Sequence, residues 1–208
     1  MGVMAKIDRD ALRSPSVLLL IAMNLIPLVG VLVFGWNIGY IMLLYWMETI
    51  VIGLFNIPKI LSSRKPPQGS TVRAGGCGLL FIAVFFTIHY GGFNAGHFFF
   101  LNEMFDLPPI NRDVLIVLGA LTLSHGFSLM VNWFGKREFE NRDPSQQMFM
   151  PYGRVIVMHI VIILGGFLAL AFNGGLAVLI LLIALKTIAD LFAHLKGHEW
   201  MESQATQD

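Results

Sequence analysis

YIMLLYWMETIVIGLFNIPK, residues 40–59, carries two charges, Glu48 near its middle and Lys59 at its end. A bilayer-crossing helix needs about 20 predominantly apolar residues, and this stretch supplies them. A carboxylate halfway along such a helix costs about 2.5–3.5 kcal/mol on insertion scales, so it is a functional hypothesis by default. The first reading sets the fold, and the second poses the question of function.

Working outward, apolar runs recur along the 208 residues. Six spans are expected, at about 16–35, 38–61, 74–101, 114–134, 155–172 and 175–195. The fold class is therefore all-α: a polytopic membrane protein, a bundle of six transmembrane helices. A cytoplasmic N-terminal segment (1–15) precedes the membrane domain (16–196), and a cytoplasmic tail (197–208) follows it. Composition agrees, at 56% hydrophobic and 13% charged, where soluble domains carry about 25% charged residues. The formal net charge of +1 gives no field that would gather nucleic acid. A single cysteine, Cys77, excludes an internal disulfide and any CxxC motif.

Orientation follows from lysine and arginine. One side of the expected topology holds Lys6, Arg9, Arg13, Lys59, Arg64, Lys65, Arg73, Lys136, Arg137, Arg142, Arg154 and Lys196. The other holds only Arg112, and Lys186 falls inside a span. The positive-inside rule then places both termini in the cytoplasm of a protein of the inner (cytoplasmic) membrane. An even number of spans requires the same placement. The lipid bilayer is the expected partner, and a homodimer would enlarge what is a small scaffold.

Several ionisable residues lie inside the expected spans. His89 and His97 sit in HYGGFNAGHFFF, His125 in LTLSHGFS and His159 in RVIVMHIVIILGG. Lys186, Asp190 and His194 are spaced by four in LKTIADLFAHLKGH, so they share one helix face. Counting about 1.5 Å of rise per residue sorts them by depth. Glu48, His89, His125 and Lys186 fall in a middle layer, and His159, Asp190 and His194 in an inner one. Asn56 and Asn132 lie near the inner layer and suit interhelical hydrogen bonds. His97 falls at the outer end of its span, where solvation is the expected role.

Imidazole and carboxylate suit zinc or iron. His159, Asp190 and His194 form the first expected ligand set, since the hairpin of the last two spans turns at Asn173-Gly174-Gly175 and brings His159 and Asp190 to equal depth. His89, Glu48 and His125 form the second. A proton-coupled small-solute transporter or channel-like protein is the alternative, with Glu48, His89, Lys186 and Asp190 as its relay. Haem held by His89 and His125 ranks lower, and a structural or assembly subunit is the bland reading.

The order and spacing of YWMETIVIGLFNIPK, HYGGFNAGHFFF, RVIVMHIVIILGG and LKTIADLFAHLKGH resemble a family of uncharacterised prokaryotic polytopic membrane proteins, a domain of unknown function. That resemblance implies the helical membrane fold and no activity. Ser124 and AHLKGH show a fainter similarity to rhomboid proteases, but TLSHGFS lacks the GxSG surroundings of that family's nucleophile.

Overall fold

The structure, a computed structural model, describes residues 27–66, 74–172, 180–181 and 183–188. Those residues are helical or loop, with no strand among them. The chain divides into two compact units, Ile38–Ile162 and the residues on either side of it.

In the flanking unit a helical stretch ends at residue 34. Gly35 adopts φ +67°, the left-handed region that glycine enters at no steric cost. The chain turns there, and the Trp36 amide donates back to the Gly30 carbonyl at 3.1 Å. The indole packs where a Cβ on Gly30 would stand. Residues 180–181 and 183–188 are also helical.

The central unit holds α1 (Ile38–Ser62), α2 (Gly76–Met104), α3 (Arg112–Ser128), α4 (Pro144–Phe149) and the first half of α5 (Tyr152–Phe172). Among the described residues, four segments are long and apolar enough to cross a membrane: Ile38–Ser62, Gly76–Met104, Arg112–Gly135 and Pro144–Gly165. That gives the chain the construction of an integral membrane protein. α1 lies at the centre, and Ile41, Met42, Val51 and Ile60 are among its buried residues. α2 and α3 turn apolar residues outward, with Phe81 72%, Ile88 71%, Leu123 76% and Phe127 71% exposed. Surfaces of that kind suit acyl chains rather than water.

Local chemistry sets the helix ends. The Asn111 side chain accepts from the Val114 amide and starts α3 at Arg112. Asp143 does the same for the Ser145 amide, with Pro144 in the first turn of α4, the arrangement of an N-cap followed by a proline that needs no amide partner. α3 continues as a seven-residue π-helical segment, Leu129–Gly135, a form found mostly at functional or strained places. Its Trp133 indole donates to Ser62 Oγ at 2.8 Å and ties the segment to the end of α1. Beyond it, the Arg64 and Lys65 amides donate to the carbonyls of Phe139 and Arg142, which closes this end of the bundle.

The segment long and apolar enough to hold the fifth expected span (155–172) starts earlier, at Pro144. The candidate crossing is Pro144–Gly165, interrupted at Met150-Pro151. α4 is therefore part of the bundle rather than a surface segment. Its Gln147 is buried and exchanges hydrogen bonds with Asn56: Gln147 Nε2 donates to Asn56 Oδ1 at 2.7 Å, and Asn56 Nδ2 donates to the Gln147 carbonyl at 3.2 Å.

Candidate functional site: a polar seam along α5

Arg154, read from the sequence as a cytoplasmic cation, falls near the middle of Pro144–Gly165. Its Nη1 lies 3.0 Å from Glu48 Oε1, near the middle of α1. Two turns of helix thus put three side chains of α5 against polar partners. Tyr152 shares a 2.6 Å hydrogen bond with His89 Nδ1. Arg154 pairs with Glu48. His159 Nδ1 lies 2.7 Å from His97 Nε2.

Residue numbers rise together along the two α2 contacts, from His89 to His97 and from Tyr152 to His159. α2 and α5 therefore run in the same direction, as two crossings separated by one intervening crossing must. Tyr152 and Val155 pack with Phe86 and Tyr90 of α2 in an apolar cluster that also holds Ile60, Ala83 and Met148. This cluster fixes the register in which His159 reaches His97.

The face of α2 turned inward runs Ala83, Phe86, Tyr90, Asn94, His97, Leu101. Those positions recur at three or four residues, the spacing of one helix face. The middle of the stripe is polar and fully engaged. Tyr90 donates to the Thr49 carbonyl at 2.8 Å, and Thr49 Oγ1 donates to Asn94 Oδ1 at 2.7 Å. Asn94 Nδ2 donates to the Tyr90 carbonyl, and the Trp46 indole donates to the Asn94 carbonyl. Gly53 makes room for this contact, because a Cβ there would enter the Tyr90 ring.

His97 is the outermost polar member of the stripe and only 6% exposed. It is not the solvated end residue expected from depth counting. Its Nδ1 is buried, with no hydrogen-bond partner among the described residues. His159 bonds to its Nε2, so His159 lies level with the C-terminal part of α2.

The other expected residues are placed as follows. His89 is exposed on the flank of α2, inside an aromatic ladder with Phe85 and Phe93. His125 stacks on Phe55 with ring centroids 6.3 Å apart. Glu48, paired with Arg154, lies within electrostatic reach of His125, whereas His89 bonds to Tyr152. Among the described residues no three His, Cys, Asp or Glu side chains gather as a metal site would require. Asn56 makes its interhelical bond, to Gln147, whereas Asn132 bonds within its own helix to Ser128 Oγ at 3.3 Å. Lys186 is on the helical residues 183–188. Asp190 and His194 lie outside the described residues, and so does the test of their convergence with His159.

Sequence reasoning passed over Arg154, Tyr152, Asn94 and the burial of His97. One signal would have found the first two: Asp143-Pro144 is a helix start, so the crossing begins there.

A helical bundle with segments of lipid-crossing length and polar pairs between its helices has the construction of a polytopic α-helical membrane protein. The chain belongs to a family of unknown function, DUF6498, whose model matches residues 6–207. Comparison with curated proteins and with solved structures gives no match.

Proposed function

We propose that this is a six-span protein of the inner membrane, with both termini cytoplasmic, that moves protons, alone or coupled to a small polar solute, along the seam on α5. The observation that carries this reading is the Glu48–Arg154 pair at 3.0 Å, set near the middle of α1 and of the membrane-length segment Pro144–Gly165. Ionisable groups at that depth are costly, and they mark ion and proton pathways when they face a bundle interior. The His89–Tyr152 and His97–His159 bonds stand before and after Arg154 along α5, on the side that meets α2 rather than α1, and each side chain in them can give or take a proton.

A second reading is a metal centre of zinc or iron. It draws on the two facing imidazole nitrogens of His97 and His159, with Asp190 and His194 as the further ligands that the hairpin count suggests. Elemental analysis of the purified protein separates the two readings.

The transport reading is tested with the purified chain in vesicles that enclose a pH-sensitive dye, under a potassium diffusion potential. The expected result is proton entry well above that of protein-free vesicles, reduced in Glu48→Gln. Entry no faster than in protein-free vesicles, with or without a panel of small solutes, would remove the proposal.

A further inference from the structure

We infer that His97 and His159 form a two-imidazole proton relay, in which His97 Nδ1 receives the proton and His159 Nε2 releases it. This rests on the proton-transport reading and names the groups that would carry its rate-controlling transfer.

The geometry comes first. The two rings come from different helices and meet at 2.7 Å between His97 Nε2 and His159 Nδ1, with centroids 5.0 Å apart. One nitrogen must donate and the other accept, so two arrangements exist for neutral rings. If His159 donates, His97 carries its proton on Nδ1, a buried N–H without an acceptor among the described residues. If His97 donates from Nε2, its Nδ1 is a bare lone pair. An orphaned buried donor is the rarer and costlier case, so the second arrangement is the resting one. The bare Nδ1 is then a buried basic site with no partner among the described residues, on a side chain more than nine-tenths buried.

The transfer follows from that resting state. A proton binding to His97 Nδ1 makes the ring an imidazolium. The proton on His97 Nε2 then crosses the 2.7 Å bond to His159 Nδ1. His159, now carrying protons on both nitrogens, releases the one on Nε2. Both rings are neutral again, one proton has passed, and the hydrogen bond between them has reversed. The first arrangement returns only when both rings have turned or exchanged tautomer, and until then no second transfer can follow in the same direction. His159 is exposed and can exchange with water, whereas His97, held in the packed stripe of α2, is the slower ring to reset.

Neighbouring residues keep this site separate from the buried network. Asn94, one turn before His97, already uses its amide and carbonyl on Tyr90, Thr49 and Trp46. It is therefore engaged away from Nδ1, and the relay has a single entry atom.

The test compares wild type with His97→Gln and His159→Gln in the dye-loaded vesicles. Glutamine keeps hydrogen-bonding capacity but cannot pass a proton through itself. Each variant should cut proton entry at least about tenfold, and the double variant should be no slower than the singles, because the two rings act in series. Wild-type conduction with either variant retaining most of it overturns the relay and leaves the transport reading standing. Absence of conduction in wild type overturns both. One equivalent of metal held by wild type and lost in both variants also overturns the relay, since the ion would occupy both lone pairs. If the variants do not fold, nitrogen-15 spectra of histidine-labelled wild type in lipid decide. A coupling across the His97–His159 bond with one bare Nδ1 supports the relay, and its absence overturns it.

Discussion

Glu48→Leu should leave Arg154 as an uncompensated cation at mid-bundle and cost about 2.5–3.5 kcal/mol, the insertion cost of one such charge. The Arg154 guanidinium lies 3.0 Å from the carboxylate that this change removes. The pair is part-exposed, 45% at Arg154 and 22% at Glu48; where that exposure is to acyl chains rather than water, removing one partner is worse than replacing both by apolar groups, which is often neutral. Glu48→Leu with Arg154→Leu should therefore recover much of the lost stability and still conduct no protons. Thermal unfolding in detergent checks the first half, and the vesicle assay checks the second. Equal stability of Glu48→Leu and wild type would mean that Arg154 reaches water, and that the pair is not within the membrane.

Gly53→Leu should be at least as damaging, for a packing reason rather than an electrostatic one. A Cβ at residue 53 overlaps the Tyr90 ring, with Cδ1 at 2.9 Å. The ring cannot retreat easily. It packs on Phe86 at 4.8 Å between centroids and edge-on to Tyr152 at 5.7 Å, and its hydroxyl holds the Thr49 carbonyl. Overpacking by one methyl usually costs about 1–3 kcal/mol, so Gly53→Ala should be clearly weakened and Gly53→Leu should be more so. The displacement also breaks the contact that seats Tyr152 and hence α5. Unfolding of the two variants, ranked against wild type, measures this. Unchanged stability in Gly53→Ala would show that α1 and α2 are farther apart than described.

α1 was readable to within a residue or so because its ends are chemical, a glycine turn before it and charged residues after it. The interior site was readable only in part. Helices that are apolar on every side give no amphipathic period from which to choose the buried face. α2 is such a helix, so nothing in its sequence ranks His97 above His89. The tertiary structure does, because Tyr90, Asn94 and His97 fall on the stripe that meets α1 and α5 while His89 falls beside it. Arg154 was missed for a different reason. Basic residues in PYGR follow a charged connection, and charge counting assigns them to the cytoplasm. The capping pair Asp143-Pro144 starts a helix ahead of Arg154, and the buried Asn56–Gln147 exchange packs that helix on α1.

The placement of Arg154 within the membrane underlies the whole account, because a cytoplasmic Arg154 would make the seam a surface feature. It can be tested by labelling. In a Cys77→Ser background, which removes the chain's single cysteine, single cysteines are placed at Glu138, Met150 and Ile156. Met150 and Ile156 are 53% and 60% exposed, so a thiol at either is not shielded by protein. Met150 is four residues before Arg154, about 6 Å along a helix and well inside a hydrocarbon core of about 30 Å. Inside-out membrane vesicles, with the cytoplasmic face outward, are treated with a membrane-impermeant maleimide. The account predicts rapid labelling at Glu138→Cys and almost none at Met150→Cys or Ile156→Cys until detergent is added. Labelling of Met150→Cys as fast as Glu138→Cys, without detergent, would contradict it.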